Sequence, residues 1–290
     1  MTLSTINSIA AAQLAIYVPL FLISILLAYR HGFRRNAGWL YIVIFSLTRV
    51  VASSLQLSTA SMKSPPSVGL VVATQVFYSV GVSTLVLALL NLLGRVLESA
   101  NAAATNTLFK SQHQRLAQFV VFVGLVLGIV GGSMLGGKIE DVMSGKTAQV
   151  STPWESKAGL GLILAGFVAA ALGAIACALQ FGSVRHEKGE RRLLWTLVAV
   201  LPFMLVRIVF SCLGTFGSDA KFRSFGRSSS YPWLFLGMAV IMEIIVVVLL
   251  EAVGLTLKKK EKKGGTHAAG LSVRRRCTKS SVGCRSDCQE

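Results

Sequence analysis

The stretch Leu201-Pro202-Phe203-Met204-Leu205-Val206-Arg207-Ile208-Val209-Phe210 places an arginine in the middle of an apolar run long enough to cross a bilayer. A charge at the bilayer centre costs at least about 2.5 to 3.5 kcal/mol, so such a residue faces the bundle interior and finds a partner. One acidic residue lies at similar depth, Glu243 on the next apolar segment. A second arginine, Arg49, sits in Thr48-Arg49-Val50-Val51 much as Arg207 sits in Val206-Arg207-Ile208-Val209. The rest of the chain reads as the scaffold that buries these three charges.

Composition agrees. Of 290 residues 53% are hydrophobic and only 14% charged, with a mean hydropathy of +0.65, whereas soluble domains carry about 25% charged residues. This is the composition of an integral membrane protein. The net charge of +17 would suggest nucleic acid in a soluble chain; here most Lys and Arg fall between apolar segments and orient them, so no nucleic-acid partner is expected.

Seven apolar segments follow one another, 9–29, 37–57, 68–93, 116–136, 158–181, 193–213 and 233–254, each near the roughly 20 residues a spanning helix needs. The predicted fold is an all-α, seven-transmembrane helix bundle over 1–257 with a basic, disordered tail over 258–290. No basic residue precedes the first segment, and Arg30, Arg34 and Arg35 follow it. That asymmetry predicts an outside N-terminus and a cytoplasmic C-terminus. Lys258, Lys259, Lys260, Lys262 and Lys263 directly abut the last segment and read as a contact for anionic lipid headgroups, each charge contributing about 1 kcal/mol near the surface. The chain carries no sequon, and its five cysteines lie within segments or in the tail. A multi-pass location follows, in a plasma or internal membrane.

Helix packing has its own signature. Gly124, Gly128, Gly132 and Gly136 recur every four residues, and Gly161, Ala165, Ala169, Gly173 and Cys177 repeat that spacing in the next segment. Small residues at this interval let helix backbones approach where lipid is as apolar as leucine. The expectation is a close contact between the fourth and fifth helices, with homodimerisation through the glycine face as the alternative.

An internal repeat is also suggested. Arg30-His31, Arg34-Arg35, Trp39, Arg49 and Gly94 have counterparts in Arg185-His186, Arg191-Arg192, Trp195, Arg207 and Gly254, at offsets of 155 to 160. Helices one to three would repeat as five to seven in parallel, a 3+1+3 arrangement found in some transporters. Inner loops rich in Lys and Arg, with tryptophan at interfaces, offer a simpler source of the same matches.

At about 1.5 Å per residue, Arg49, Arg207 and Glu243 lie roughly 12, 9 and 15 Å from the outer ends of their helices. Gln75 falls in the same layer with Tyr78 beneath it. Arg49, Gln75, Arg207 and Glu243 are therefore the candidate ligand-binding residues, with one positive charge in excess to receive a carboxylate or phosphate. The same cluster is also accounted for as scaffold, because breaking a buried pair costs about 3 to 5 kcal/mol.

The opening helix followed by Arg30-His31-Gly32-Phe33, then Gly38-Trp39, Phe45 to Arg49, Pro202-Phe203 to Arg207 and Met242-Glu243, resembles a family of fungal seven-span membrane proteins known only as a domain of unknown function (family number 7702). That resemblance extends to about Gly254; it implies the seven-helix fold and supplies no substrate, reaction or catalytic residue. A weaker similarity, without an extended motif, is to the fungal lipid-translocating exporters.

Other seven-span chemistries do not fit. The last segment has no lysine to hold a retinal, the third ends Gly94-Arg95-Val96 rather than in an acidic-Arg-aromatic triplet, and no segment carries an aspartate. Histidines lie outside the spans, so neither a metal nor a haem site is expected. The chain reads as a non-enzyme without cofactor: a carrier or translocator of a small or lipidic solute, with a receptor or sensor as the alternative.

Overall fold

Water is absent from the bilayer core, so each backbone N–H and C=O must be satisfied within its own segment, and helices achieve this. A computed structural model of the chain describes residues 5–32, 37–61, 68–103, 111–143, 152–180, 188–217 and 232–257. All regular structure among them is helical: α1 (Thr5–His31), α2 (Ala37–Ser61), α3 (Val68–Ala103), α4 (Ser111–Met143), α5 (Trp154–Gln180) and α6 (Lys188–Phe216). The seventh segment, α7, is continuous but changes pitch, with an α turn at Pro232–Phe235, π-helix at Leu236–Ile241 and α-helix at Met242–Thr256. Seven helices among the described residues are long and apolar enough to cross a membrane, and the protein is a multi-pass membrane protein. The expected lipid contacts at Lys258 to Lys263, and the tail as a whole, lie outside the described residues.

The helices outrun the apolar segments read from the sequence. The third continues ten residues past Leu93 to Ala103, and the fourth begins at Ser111 and ends at Met143. Apolar length marks the hydrocarbon-crossing part of a helix, while its hydrogen-bond ladder continues into the polar interface.

α3 is the central helix. Its most apolar stretch is 67% buried inside the protein, against 22 to 44% for the other six, and it packs on α2, α4, α5 and α6. Its buried face runs through Leu85, Val86, Leu89, Leu93 and Val96. The outer faces of α1 and α4 show Leu22, Leu26, Leu116 and Phe119, as expected where the surrounding solvent is hydrocarbon rather than water. Several interior hydroxyls are satisfied locally: Ser24, Thr48, Thr74 and Ser83 each donate to a carbonyl three or four residues back, the usual accommodation of Ser and Thr in spanning helices.

α4 packs on α5, through residues of α5 other than the four-residue row. A Cβ at Gly124 would meet the Gly159 carbonyl at 2.9 Å, and one at Gly159 would meet the Gly124 carbonyl at 2.8 Å. Gly166 is closed off by Val121, and Gly131 by Ser156. Gly161 instead has nothing within 4 Å, and it and Ala165 are exposed, Ala169 is half-buried and Gly173 buried. A step of four residues overshoots a helical turn by about 40°, so a strict four-residue row winds around the helix instead of staying on one face. The same drift splits the α4 row: Gly124 faces α5, whereas Gly128 faces Ser79 and Gly132 faces Val76, both on α3. The surroundings of Gly136 lie outside the described residues.

At one end of the bundle α1 closes on the end of α7. Arg30 Nη1 donates to the Leu255 carbonyl at 3.1 Å, and His31 Nε2 lies 3.0 Å from that of Gly254. These carbonyls belong to the last turn of a helix, where no intrahelical donor is available. His31 stacks on Trp39, whose ring lies where a Cβ on Gly254 would be. Trp195, the proposed repeat counterpart of the buried Trp39, is 54% exposed, so the two halves differ at that pair.

Candidate functional site

Three helices converge on one carboxylate oxygen. Arg49 Nη2 of α2 and Arg207 Nε of α6 both donate to Glu243 Oε1 of α7, each at 2.5 Å. Arg49 is 0% exposed, Arg207 6% and Glu243 2%. Arg207 Nη1 reaches Ser211 Oγ at 2.6 Å, one turn along its own helix. Arginine stays protonated in proteins, so two guanidiniums share one carboxylate and the group holds one positive charge in excess.

Local structure aims these side chains. Gly81 on α3 clears the space for Arg49: a Cβ there would lie 2.5 Å from Nη2 and 2.8 Å from Cζ. The π-helical stretch of α7 ends at Ile241, two residues before Glu243. Such wider turns occur mostly as single-turn bulges inside α-helices, frequently at functional sites, and this one sets the rotation at which Glu243 leaves the helix. Pro202 in α6 has no N–H to give the Val198 carbonyl, which opens the ladder on the turn preceding Arg207.

Aromatic rings form the walls. Arg49 Cζ stands 5.1 Å from the centroids of both Phe45 and Tyr78, and Arg207 Cζ 5.9 Å from that of Phe210. Phe235 packs against Tyr78 and Phe210, and Tyr17 against Phe45. Ring faces attract a desolvated cation, by up to about 2 kcal/mol. They spread the charge of the arginines without neutralising it.

Several polar atoms around this layer are left over. Arg49 Nε and Nη1, the Tyr17 hydroxyl, Ser46 Oγ and Gln13 Nε2 are buried without a hydrogen-bond partner. Gln13 Oε1 accepts from the Tyr78 hydroxyl at 2.9 Å, and Tyr17 lies close enough to Glu243 and both arginines to feel their charges. Buried polar groups in folded proteins are nearly always paired, and each exception calls for an explanation.

Of the four residues expected to form the layer, the structure brings together Arg49, Arg207 and Glu243. Gln75 is half-buried on α3, and among the described residues it makes no hydrogen bond to the other three. Tyr78, one turn along, takes its place through its carbonyl, 3.5 Å from Arg49 Nη2. Sequence reading missed Gln13 and Tyr17, although polar side chains one helical turn apart in the first segment were a usable signal. It also passed over Glu251, which is 3% exposed with both carboxylate oxygens unpaired. No group of three or more His, Cys, Asp or Glu among the described residues is placed to hold a metal ion.

A family model described as "Domain of unknown function (DUF7702)" matches residues 3–260. The chain belongs to that family. No curated protein and no solved structure matches it. The DUF7702 match takes in all three charges, their aromatic walls and the closure of α1 on α7.

Proposed function

We propose that the protein is a carrier or translocator of a small or lipidic solute bearing a carboxylate or phosphate, and that this anionic group docks on the Arg49 side of the buried layer. The observation that carries the reading is that Arg49 is fully buried with Nε and Nη1 unpaired. Nε–H and Nη1–H open on different edges of the guanidinium, and each can donate one charge-assisted hydrogen bond to a carboxylate or phosphate oxygen, with the unpaired hydroxyls of Tyr17 and Ser46 as further donors. A bound anion would cancel the excess charge and satisfy those groups together. In the membrane the N-terminus lies outside and the C-terminus inside, since even without the tail the loops on the inner side hold 10 Lys and Arg against 7 outside.

Transport by proteoliposomes tests this reading. Vesicles holding the purified chain should move a fluorescent fatty carboxylate or alkyl phosphate faster than empty vesicles and leave the corresponding alcohol unmoved. Equal rates with and without protein for both anions would remove the carrier reading and favour a receptor.

A further inference from the structure

Glu251 has no counterpart to the arrangement that holds Glu243. It sits on the buried face of α7 with Val247, Leu250 and Gly254, eight residues and about 12 Å along the helix from Glu243. Neither of its oxygens has a hydrogen-bond partner. An ionised carboxylate sealed in such a place, without a cation or donor, carries a desolvation cost of several kcal/mol. The carboxyl is therefore an acid in this packing, and even then its O–H lacks an acceptor. A leucine would pack here at no such cost, so stability does not account for the residue.

We propose that Glu251 is a proton-binding site that takes up and releases a proton within the membrane-spanning bundle. α7 packs on α1 and α6, and Trp39 of α2 touches Gly254. The charged or titratable groups at this end, among the described residues, are Tyr29, Arg30 and His31 on α1, Tyr41 on α2, and Glu190, Arg191 and Arg192 on α6, with Arg95 of α3 near His31 and Glu190. Arg30 and His31 are engaged with the carbonyls of Leu255 and Gly254; Arg191 and Arg192 line an open groove with Trp195 and Thr196. The Glu251 oxygens make no hydrogen bond to any of these groups. The groove, of ≈ 670 Å³, is closed on its other side by Ala252, Val253 and Thr256. It opens at the level of the residues that directly follow Glu251, and Glu251 lies only about 8 Å from the helix end.

A consequence concerns charge balance. Arg49, Arg207, Glu243 and Glu251 together carry one positive charge when Glu251 is protonated and none when it is ionised. A proton on Glu251 and an anion on Arg49 thus offset each other. This coupling rests on the anion site proposed above, whereas the proton site stands without it.

An apolar carbodiimide, which partitions into membranes and forms a stable adduct with a protonated carboxyl, tests the proton site without any transport measurement. The purified full chain is treated across about pH 5 to about pH 9, and the adduct is mapped by peptide mass spectrometry. The expected result is an adduct on Glu251 that falls as the pH rises, with Glu243 unlabelled because Arg49 and Arg207 both hold its Oε1. Glu251→Gln, which keeps the shape of the neutral acid, should lose the adduct and elute as the native chain does. If it fails to fold, the pH profile of the native chain alone decides. No adduct on Glu251 at any pH, or an adduct that does not vary with pH, overturns the proposal.

Discussion

Arg49 and Glu243 stand 194 residues apart in the chain and meet at 2.5 Å through buried side chains, with Arg207 on the same carboxylate oxygen. Sharing makes the three residues unequal. Removing Glu243 strands two guanidiniums, whereas removing either arginine leaves a neutral pair. Glu243→Leu is therefore expected to be the most damaging single change, at about 3 to 5 kcal/mol, with Arg207→Leu clearly milder. Thermal unfolding of the purified proteins in one detergent gives the order; an Arg207→Leu loss equal to that of Glu243→Leu would mean that Arg49 does not hold the carboxylate alone.

Gly81 offers a way to move Arg49 without deleting it. A methyl group at this position collides with the guanidinium, so Gly81→Ala should shift Arg49 off Glu243 and lower stability by about 1 to 3 kcal/mol, the range for overpacking a close contact. In the Arg49→Leu background the same substitution should cost much less, because the colliding group is gone. Four unfolding curves form the cycle, and additive losses would contradict the contact.

The bundle itself is tested on α5. Gly159→Ala forces a side chain between two backbones, and unfolding should show a loss of about 1 to 3 kcal/mol. Gly161→Ala adds a methyl on an open face and should be neutral or stabilising by up to about 1 kcal/mol through helix propensity. Equal effects at the two positions would return the contact face to the four-residue row.

Much of this molecule was legible because a membrane leaves few choices. Seven apolar segments of spanning length have to be helices, and Arg49, Arg207 and Glu243, as charges within such segments, had to find one another. Their depths, counted at a fixed rise per residue, placed them within about one turn. Rotation about the helix axis was harder to read than depth. A row such as Gly161, Ala165, Ala169 and Gly173 looks like a stripe in the sequence, yet winds from the lipid face to the interior. The π turn before Glu243 left no mark in residue type, since Leu236 to Ile241 suits an ordinary helix equally well. Gln13 and Tyr17 were visible but unweighted, because neither is charged and their importance comes from what α2 and α3 bring beside them. Glu251 was passed over because its burial is set by the packing of α7 and leaves no mark in the residue pattern.

Sidedness follows from charge rather than from packing, so it needs its own measurement. A membrane-impermeant thiol reagent applied to intact cells should leave Cys277, Cys284 and Cys288 unmodified and reach them after permeabilisation. Modification before permeabilisation would invert the bundle and place the closure of α1 on α7 at the outer surface.

Anion binding at Arg49 is the centre of the account, and ligand-dependent thermal stability tests it most directly. At about a hundred times its dissociation constant, a ligand that binds the folded state alone stabilises it by about 2.7 kcal/mol. An alkyl phosphate or alkyl carboxylate should raise the melting temperature of the native chain, while the alcohol of equal chain length should not. Arg49→Leu, which keeps the Arg207–Glu243 pair, should fold and lose that response. An equal rise in Arg49→Leu, or no rise with either anion in the native chain, would contradict the assignment and leave the three charges as scaffold.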